Sequence, residues 1–214
     1  MRKDSSMDIH APIGRVESFK EIAKHVLIVT IGILIALGLE GIRESWREHV
    51  AVSEVRNRFN AELAFDREHL KLDQENVRQT DVLLDQVIAD MPRLAKSPEE
   101  LDKRVRALQP SFYFFLTNAW ETAMSSGVLV HLRADELDRY VEAYLGIKNY
   151  KEISGSTIPQ WVAVESYFQS HHSYTLSEQA AGEEKLRTLK MNFLFLEHVA
   201  LETSAGLEEA LKVR

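Results

Sequence analysis

Hydrophobic residues cluster first at positions 26–39, VLIVTIGILIALGL, where ten of fourteen are Val, Ile or Leu and none is charged. The stretch is apolar on every side, the pattern of a membrane span or of a helix buried in a core rather than of an amphipathic surface helix. Fourteen residues of helix rise only about 21 Å. Extending to 22–42 gives 21 residues interrupted by Lys24, His25 and Glu40 near the ends, where long side chains reach the headgroup region. The pattern predicts a transmembrane helix over 22–42, with a core helix of a soluble bundle as the competing reading. A cleaved signal peptide fits less well, because Ala36-Leu37-Gly38 lies inside the apolar run and the sequence after it continues in helical style.

Beyond the span the period changes. Leu63, Leu70, Val77, Leu84 and Met91 recur every seven residues, and a second series holds Val52, Phe59 and Val87 but also Asp66, Asp73 and Thr80. Such spacing predicts one long helix, and its polar members favour a bundle over a self-contained coiled coil. Pro92 is expected to end it. Ser97-Pro98-Glu99-Glu100 has the form of a helix start, and Pro110 a break. Phe112, Tyr113, Phe114, Phe115 and Leu116 are expected to plug the core between helices. A helix over 117–126 should close at Gly127. Another is predicted over 135–153, with Leu137, Tyr140, Val141, Tyr144, Leu145 and Ile147 on one face, then a turn framed by Gly155 and Pro159, then helix over 161–169. Ser177 is placed as the cap of a last helix to about Lys212, burying Leu186, Leu189, Phe193, Leu196, Val199 and Ala200.

The fold class expected is therefore all-α, an N-terminal transmembrane helix continuing into a long helix that packs in an extramembrane bundle. The boundaries are a tail over 1–21, partly interfacial through the capping pattern Ser18-Phe19-Lys20-Glu21, the span over 22–42 and a helical domain over 43–214. Only nine glycines and five prolines among 214 residues agree with long helices. A net charge of -7, from 26 basic and 33 acidic residues, argues against a nucleic-acid partner. The absence of cysteine removes disulfides, thiolate nucleophiles and Cys-ligated metals. Arg15, Lys20 and Lys24 before the span against Arg43 and Arg47 after it favour a cytoplasmic N-terminus.

Two stretches carry a resemblance: residues 28–46, IVTIGILIALGLEGIRESW, and residues 119–132, AWETAMSSGVLVHL, followed by Asp135-Glu136-Leu137. Together they resemble a family of uncharacterised bacterial single-pass membrane proteins with an "IGILIAL" span and a helical extramembrane domain. The family tends to carry more amide residues after the span, where this chain has Gly38-Leu39-Glu40-Gly41. The resemblance implies a single-pass topology and a helical fold and brings no activity; with the charge bias around the span, the expected location is the bacterial inner membrane, with the domain in the periplasm.

Chemistry is sparse. Asp66, His69 and Asp73 share a helix face, as do Glu197, His198 and Glu202, but a dinuclear bundle needs a repeated Glu and Glu-x-x-His set. Both clusters are read as solvated faces, and no metal or cofactor is expected. No nucleophile elbow, phosphate loop or dinucleotide fingerprint occurs. Ser125, Ser126 and Gly127 read as a helix end, or else, with Trp120 and Glu121, as an interaction surface. Trp120 is expected in the core and Glu121 in a buried ion pair or cap. Gly32 and Ala36 form a small-xxx-small pair suited to helix contact in a membrane. The function expected is that of a non-catalytic interaction or scaffold component. Its partners would be the lipid bilayer and a second copy or another membrane protein. Alternatives are a ligand-sensing bundle that signals through a partner, and an enzyme with an unrecognised site using Glu121, His131 and Glu165.

Overall fold

The computed structural model describes residues 19–212, and of Lys20 only the helical backbone. The capping pattern at Ser18 and the charges at Arg15 and before lie outside the described residues. Among those described are five α-helices, one 3-10 turn and no strand: α1 (Phe19–Leu94), α2 (Pro98–Arg106), α3 (Asn118–Ser126), the turn Val128–His131, α4 (Ala134–Gln169) and α5 (Leu176–Ala210). The chain is all-α, as its periodicity predicts.

The chain divides into two units, Met1–His49 and Val50–Arg214. In the first, α1 passes through the uncharged stretch without a break, and every side chain from Val26 to Leu39 is exposed. The Thr30 hydroxyl donates to the Val26 carbonyl at 2.8 Å, so the stretch's one side-chain polar group is satisfied within its own helix. Among the described helices this one is long and apolar enough to cross a membrane.

The second unit holds the core. Both seven-residue series of α1 turn inward: Leu63, Leu70, Val77, Leu84 and Met91 are buried, and so are Val52, Phe59, Asp66, Asp73, Thr80 and Val87. Three long segments form the bundle. The α1 part runs parallel to α4, since Arg56 meets Glu136, Asn60 meets Tyr140 and Asp73 meets Tyr150. Helix α5 runs antiparallel to α1, pairing Arg67 with Glu208, Arg78 with Glu197, and Asp81 and Asp85 with Lys190. A parallel pair demands a return crossover, which α2, the non-helical residues 109–117 and α3 provide.

Three boundaries differ from the sequence-based expectation. Pro92 does not end α1, which continues to Leu94 because Leu94 and Ala95 are buried and hold the last turn in place. Gly155 and Pro159 frame no turn: α4 is one helix of 36 residues. Both residues face solvent, so the carbonyl freed by the proline's missing N–H is on the water-accessible side of the helix, while Ser154, Thr157 and Trp161 on the inner side stay packed. Thr175, not Ser177, caps α5. Its hydroxyl accepts from the Glu178 amide and the Glu178 carboxylate accepts from the Thr175 amide at 2.7 Å, a reciprocal box. The buried side of α5 is the one the spacing predicts.

Helices α4 and α5 approach closely at small residues. The Thr203 hydroxyl donates to the Gly146 carbonyl at 3.2 Å, and Gly206 faces Ala143. At Gly182 a Cβ would stand 2.9 Å from two ring carbons of the buried Phe168, whereas at Gly206 the nearest atom would be 3.8 Å away. Gly182→Ala is therefore expected to destabilise by about 1–3 kcal/mol through overpacking. Gly206→Ala is expected to stabilise by about 0.5–1 kcal/mol through helix propensity. Urea unfolding followed by circular dichroism in detergent tests both signs.

Candidate functional site

Residues 109–117 form no helix, and their backbone groups need partners. Side chains of α1 supply them, in reverse order along the helix. Asn76 donates to the Ser111 carbonyl at 3.4 Å, Asp73 accepts from the Tyr113 amide at 2.8 Å, and His69 Nδ1 donates to the Phe114 carbonyl at 2.8 Å. Asp66 then accepts from the Leu116 amide at 2.8 Å, and Glu62 from the Ala119 amide at 3.0 Å. The registers match. Seven helical residues from Asp66 to Asp73 cover about 10.5 Å, and three residues of extended chain cover about 10 Å. The stretch is thus a strap laid along α1, and Glu62 satisfies an orphan amide in the first turn of α3.

From the other side α4 closes on the same carboxylates. The Tyr144 hydroxyl donates to Glu62 at 2.9 Å and the Tyr150 hydroxyl to Asp73 at 3.1 Å. Asp66 and Asp73 are both 0% exposed. Burial raises the Asp66 carboxyl to about 7, with the Leu116 amide opposing and Glu62 adding. Burial likewise raises Asp73 to about 6 against the stabilising bonds from Tyr113 and Tyr150. Desolvation and the neighbouring carboxylates push both tyrosines well above their usual range. One buried ion pair fixes the register of α1 on α4: Arg56 grips Glu136 with bonds of 2.5 and 2.7 Å, and Glu136 is only 2% exposed.

The reading of Asp66, His69 and Asp73 as a solvated face is therefore corrected: the acids are interior because the strap covers them. The aromatic plug is corrected too. Only Phe115 is fully buried, against Tyr150, while Tyr113 and Phe114 face outward from the strap. Glu197, His198 and Glu202 divide as expected of a surface, Glu197 going to Arg78 and His198 pairing with exposed Glu202 at 3.2 Å. Among the described residues no group of three acids or histidines is placed to hold a metal ion.

Beside the strap, α3 and α4 border a groove of about 600 Å³ lined by Trp120, Met124, Val141, Leu145, Lys148 and Lys151. Its floor is a stacked Trp120–Tyr144 pair, with ring centroids 5.0 Å apart, lying over buried Phe59. Met124 is 55% exposed and Leu145 62%. Of the residues singled out in the sequence, Trp120 and Glu121 line this groove. Trp120 is half-buried rather than core. Glu121 is exposed and accepts from the Thr117 hydroxyl at 2.9 Å, a contact between side chains on its own helix; it neither caps the helix nor sits in a buried ion pair. Ser125 and Ser126 bond back to the Thr122 and Ala123 carbonyls, and Gly127 ends α3 at φ +74°. That trio is a helix end, outside the groove lining. Gly32 and Ala36 stand exposed in the first unit.

Glu62, Tyr150 and Arg56 escaped the sequence reading, and Glu136 appeared in it with no role assigned. The signal available was the intrusion of Asp66, Asp73 and Thr80 into a core-facing series. No family model, curated protein or solved structure matches the chain.

Asp73→Ala leaves the Tyr113 amide and the Tyr150 hydroxyl without their acceptor and is expected to cost about 2–4 kcal/mol. Tyr150→Phe removes one neutral donor and is expected to cost about 1 kcal/mol. Chemical denaturation of the two variants distinguishes a shared anchor from a peripheral contact.

Proposed function

We propose that the protein is a non-catalytic single-pass membrane protein whose helical domain is an interaction component held at the bilayer. The observation that carries this reading is the exposed, uncharged stretch 26–39 of α1. A helix from the core of a soluble bundle would bury those side chains, and here the second unit has a complete core of its own. The stretch's ten Val, Ile and Leu residues favour insertion by about 5 kcal/mol in sum. The basic residues before the span favour a cytoplasmic N-terminus and an extracytoplasmic domain, and the likeness to bacterial single-pass proteins at residues 28–46 and 119–132 supports a single span followed by a helical domain.

The interaction role rests on the α3–α4 groove, whose apolar floor is open to solvent between charged rims. Anchoring confines the domain to the membrane surface, so a protein partner in the same membrane is its most accessible occupant. An extracytoplasmic sensor would use the same groove for a small ligand, which lies within the size range of ligand pockets.

Membrane fractionation and protease treatment of spheroplasts carrying a C-terminal tag test the topology. Pelleting with membranes and loss of the tag without lysis are expected; a chain that stays in the soluble fraction overturns the reading. For the interaction, a photo-crosslinker at Leu145 is expected to give one discrete membrane-protein adduct that Met124→Glu abolishes while the thermal midpoint stays within about 2 °C, as for most surface changes. Adducts to lipid alone, or an adduct indifferent to Met124→Glu, would remove the groove from the proposal.

A further inference from the structure

The strap is attached to α1 by ionisable groups, and that attachment has a chemical consequence. Asp66 and Asp73 sit out of solvent beneath residues 109–117, and among the described residues neither forms an ion pair with a lysine or arginine. Asp66 spends one oxygen on the Leu116 amide, and its other oxygen, Oδ2, is buried without a hydrogen-bond partner. An ionised carboxylate in that position lacks solvation on one side, whereas a protonated one leaves only a neutral hydroxyl unpaired. We propose that the 109–117 strap is an acid-tightened latch, closed most firmly when Asp66 and Asp73 carry protons and loosened when both are ionised.

The surrounding groups bear on the same balance. On α1, Glu62 lies one turn before Asp66 and disfavours its ionisation, while His69, bonded to the Phe114 carbonyl, favours it when protonated. On α4, Tyr144 and Tyr150 donate to Glu62 and Asp73, and Lys151 acts on Asp66 from a distance while its Nζ lies 3.5 Å from the Phe115 carbonyl. On α3, Glu121 is held by Thr117. Helix α5 contributes Glu208 to Arg67 and Glu197 to Arg78. The strap itself, QPSFYFFLT, carries no charge.

The sign follows from linkage. Opening the strap returns both carboxyls to water, where they titrate near 3.8, while closed they titrate near 7 and 6. The closed form therefore binds protons more tightly. Its advantage is complete below about pH 4 and is lost as pH rises to about 6 for Asp73 and about 7 for Asp66. Glu62, which accepts from both the Ala119 amide and the Tyr144 hydroxyl, ties the α3 wall of the groove to α1 beside the latch. The latch does not depend on what occupies that groove.

Amide hydrogen exchange on the full chain in detergent micelles, corrected for the intrinsic effect of pH, tests the latch. Between pH 5 and pH 8 protection across residues 109–119 is expected to fall about a hundredfold or more, with little change around Leu196 in α5. Asp66→Asn retains an acceptor for the Leu116 amide and imitates the neutral acid, so the fall should shrink to the share of Asp73, about tenfold; adding Asp73→Asn should remove it. Equal protection of the wild-type strap at the two pH values overturns the proposal. So does a fall shared equally by α5, which would be global destabilisation, or an unchanged fall in Asp66→Asn.

Discussion

A buried peptide group must find a hydrogen-bond partner, and in this protein that requirement falls hardest on a nine-residue stretch with no secondary structure of its own. Residues 109–117 lie along α1 as a partly exposed strap, with no strand among the described residues to meet their amides. The side chains of α1 do so instead. Glu62, Asp66 and Asp73 act as a row of acceptors at helical spacing that matches the rise of the extended chain. The parallel arrangement of α1 and α4 depends on this, since parallel neighbours need a connection that travels the length of the bundle. Its extended strap covers distance along the bundle in fewer residues than a helix would.

The two interfaces of α4 solve packing differently. Toward α5 it presents Gly146 and Ala143, and the helices meet backbone to backbone across Thr203 and Gly206. Toward α1 it presents Tyr140, Tyr144 and Tyr150, rings large enough to fill the space around Phe59 and Phe115 and long enough to place a hydroxyl on an α1 acceptor. Rings that bury apolar area while delivering a donor allow acids to remain in a core. The Arg56–Glu136 pair performs the same task at the start of α4 with full charges, and its geometry leaves one register for the two helices.

The exposed apolar stretch in the first unit and the groove in the second belong to one functional proposal, though each stands on its own physics. The first is an uncharged helix whose surface matches hydrocarbon. The second is an aromatic floor that the core supports from beneath but does not cover. Beside the groove, within the second unit, lies a strap whose fastening uses carboxyls that burial raises to about 7 and about 6.

Much of the architecture was legible in the residues. The all-α class, the apolar stretch 26–39, the seven-residue series through Met91, the helix end at Gly127 and the buried side of α5 all follow from periodicity and local backbone preference, which act over a few residues. What tertiary structure decided is equally specific. Pro159 and Pro92 break nothing, because burial of their flanking turns outweighs one lost hydrogen bond. Asp66 and Asp73 read as solvated, yet lie at 0% exposure. The acceptors they offer are meaningful only once a chain segment some forty residues away lies across them. Trp120 marks the groove in sequence, but its partners Val141 and Leu145 arrive from another helix. Local pattern determines which elements form and which faces are apolar; only packing decides which polar groups go inside, because their burial is tolerable solely in the presence of a distant partner.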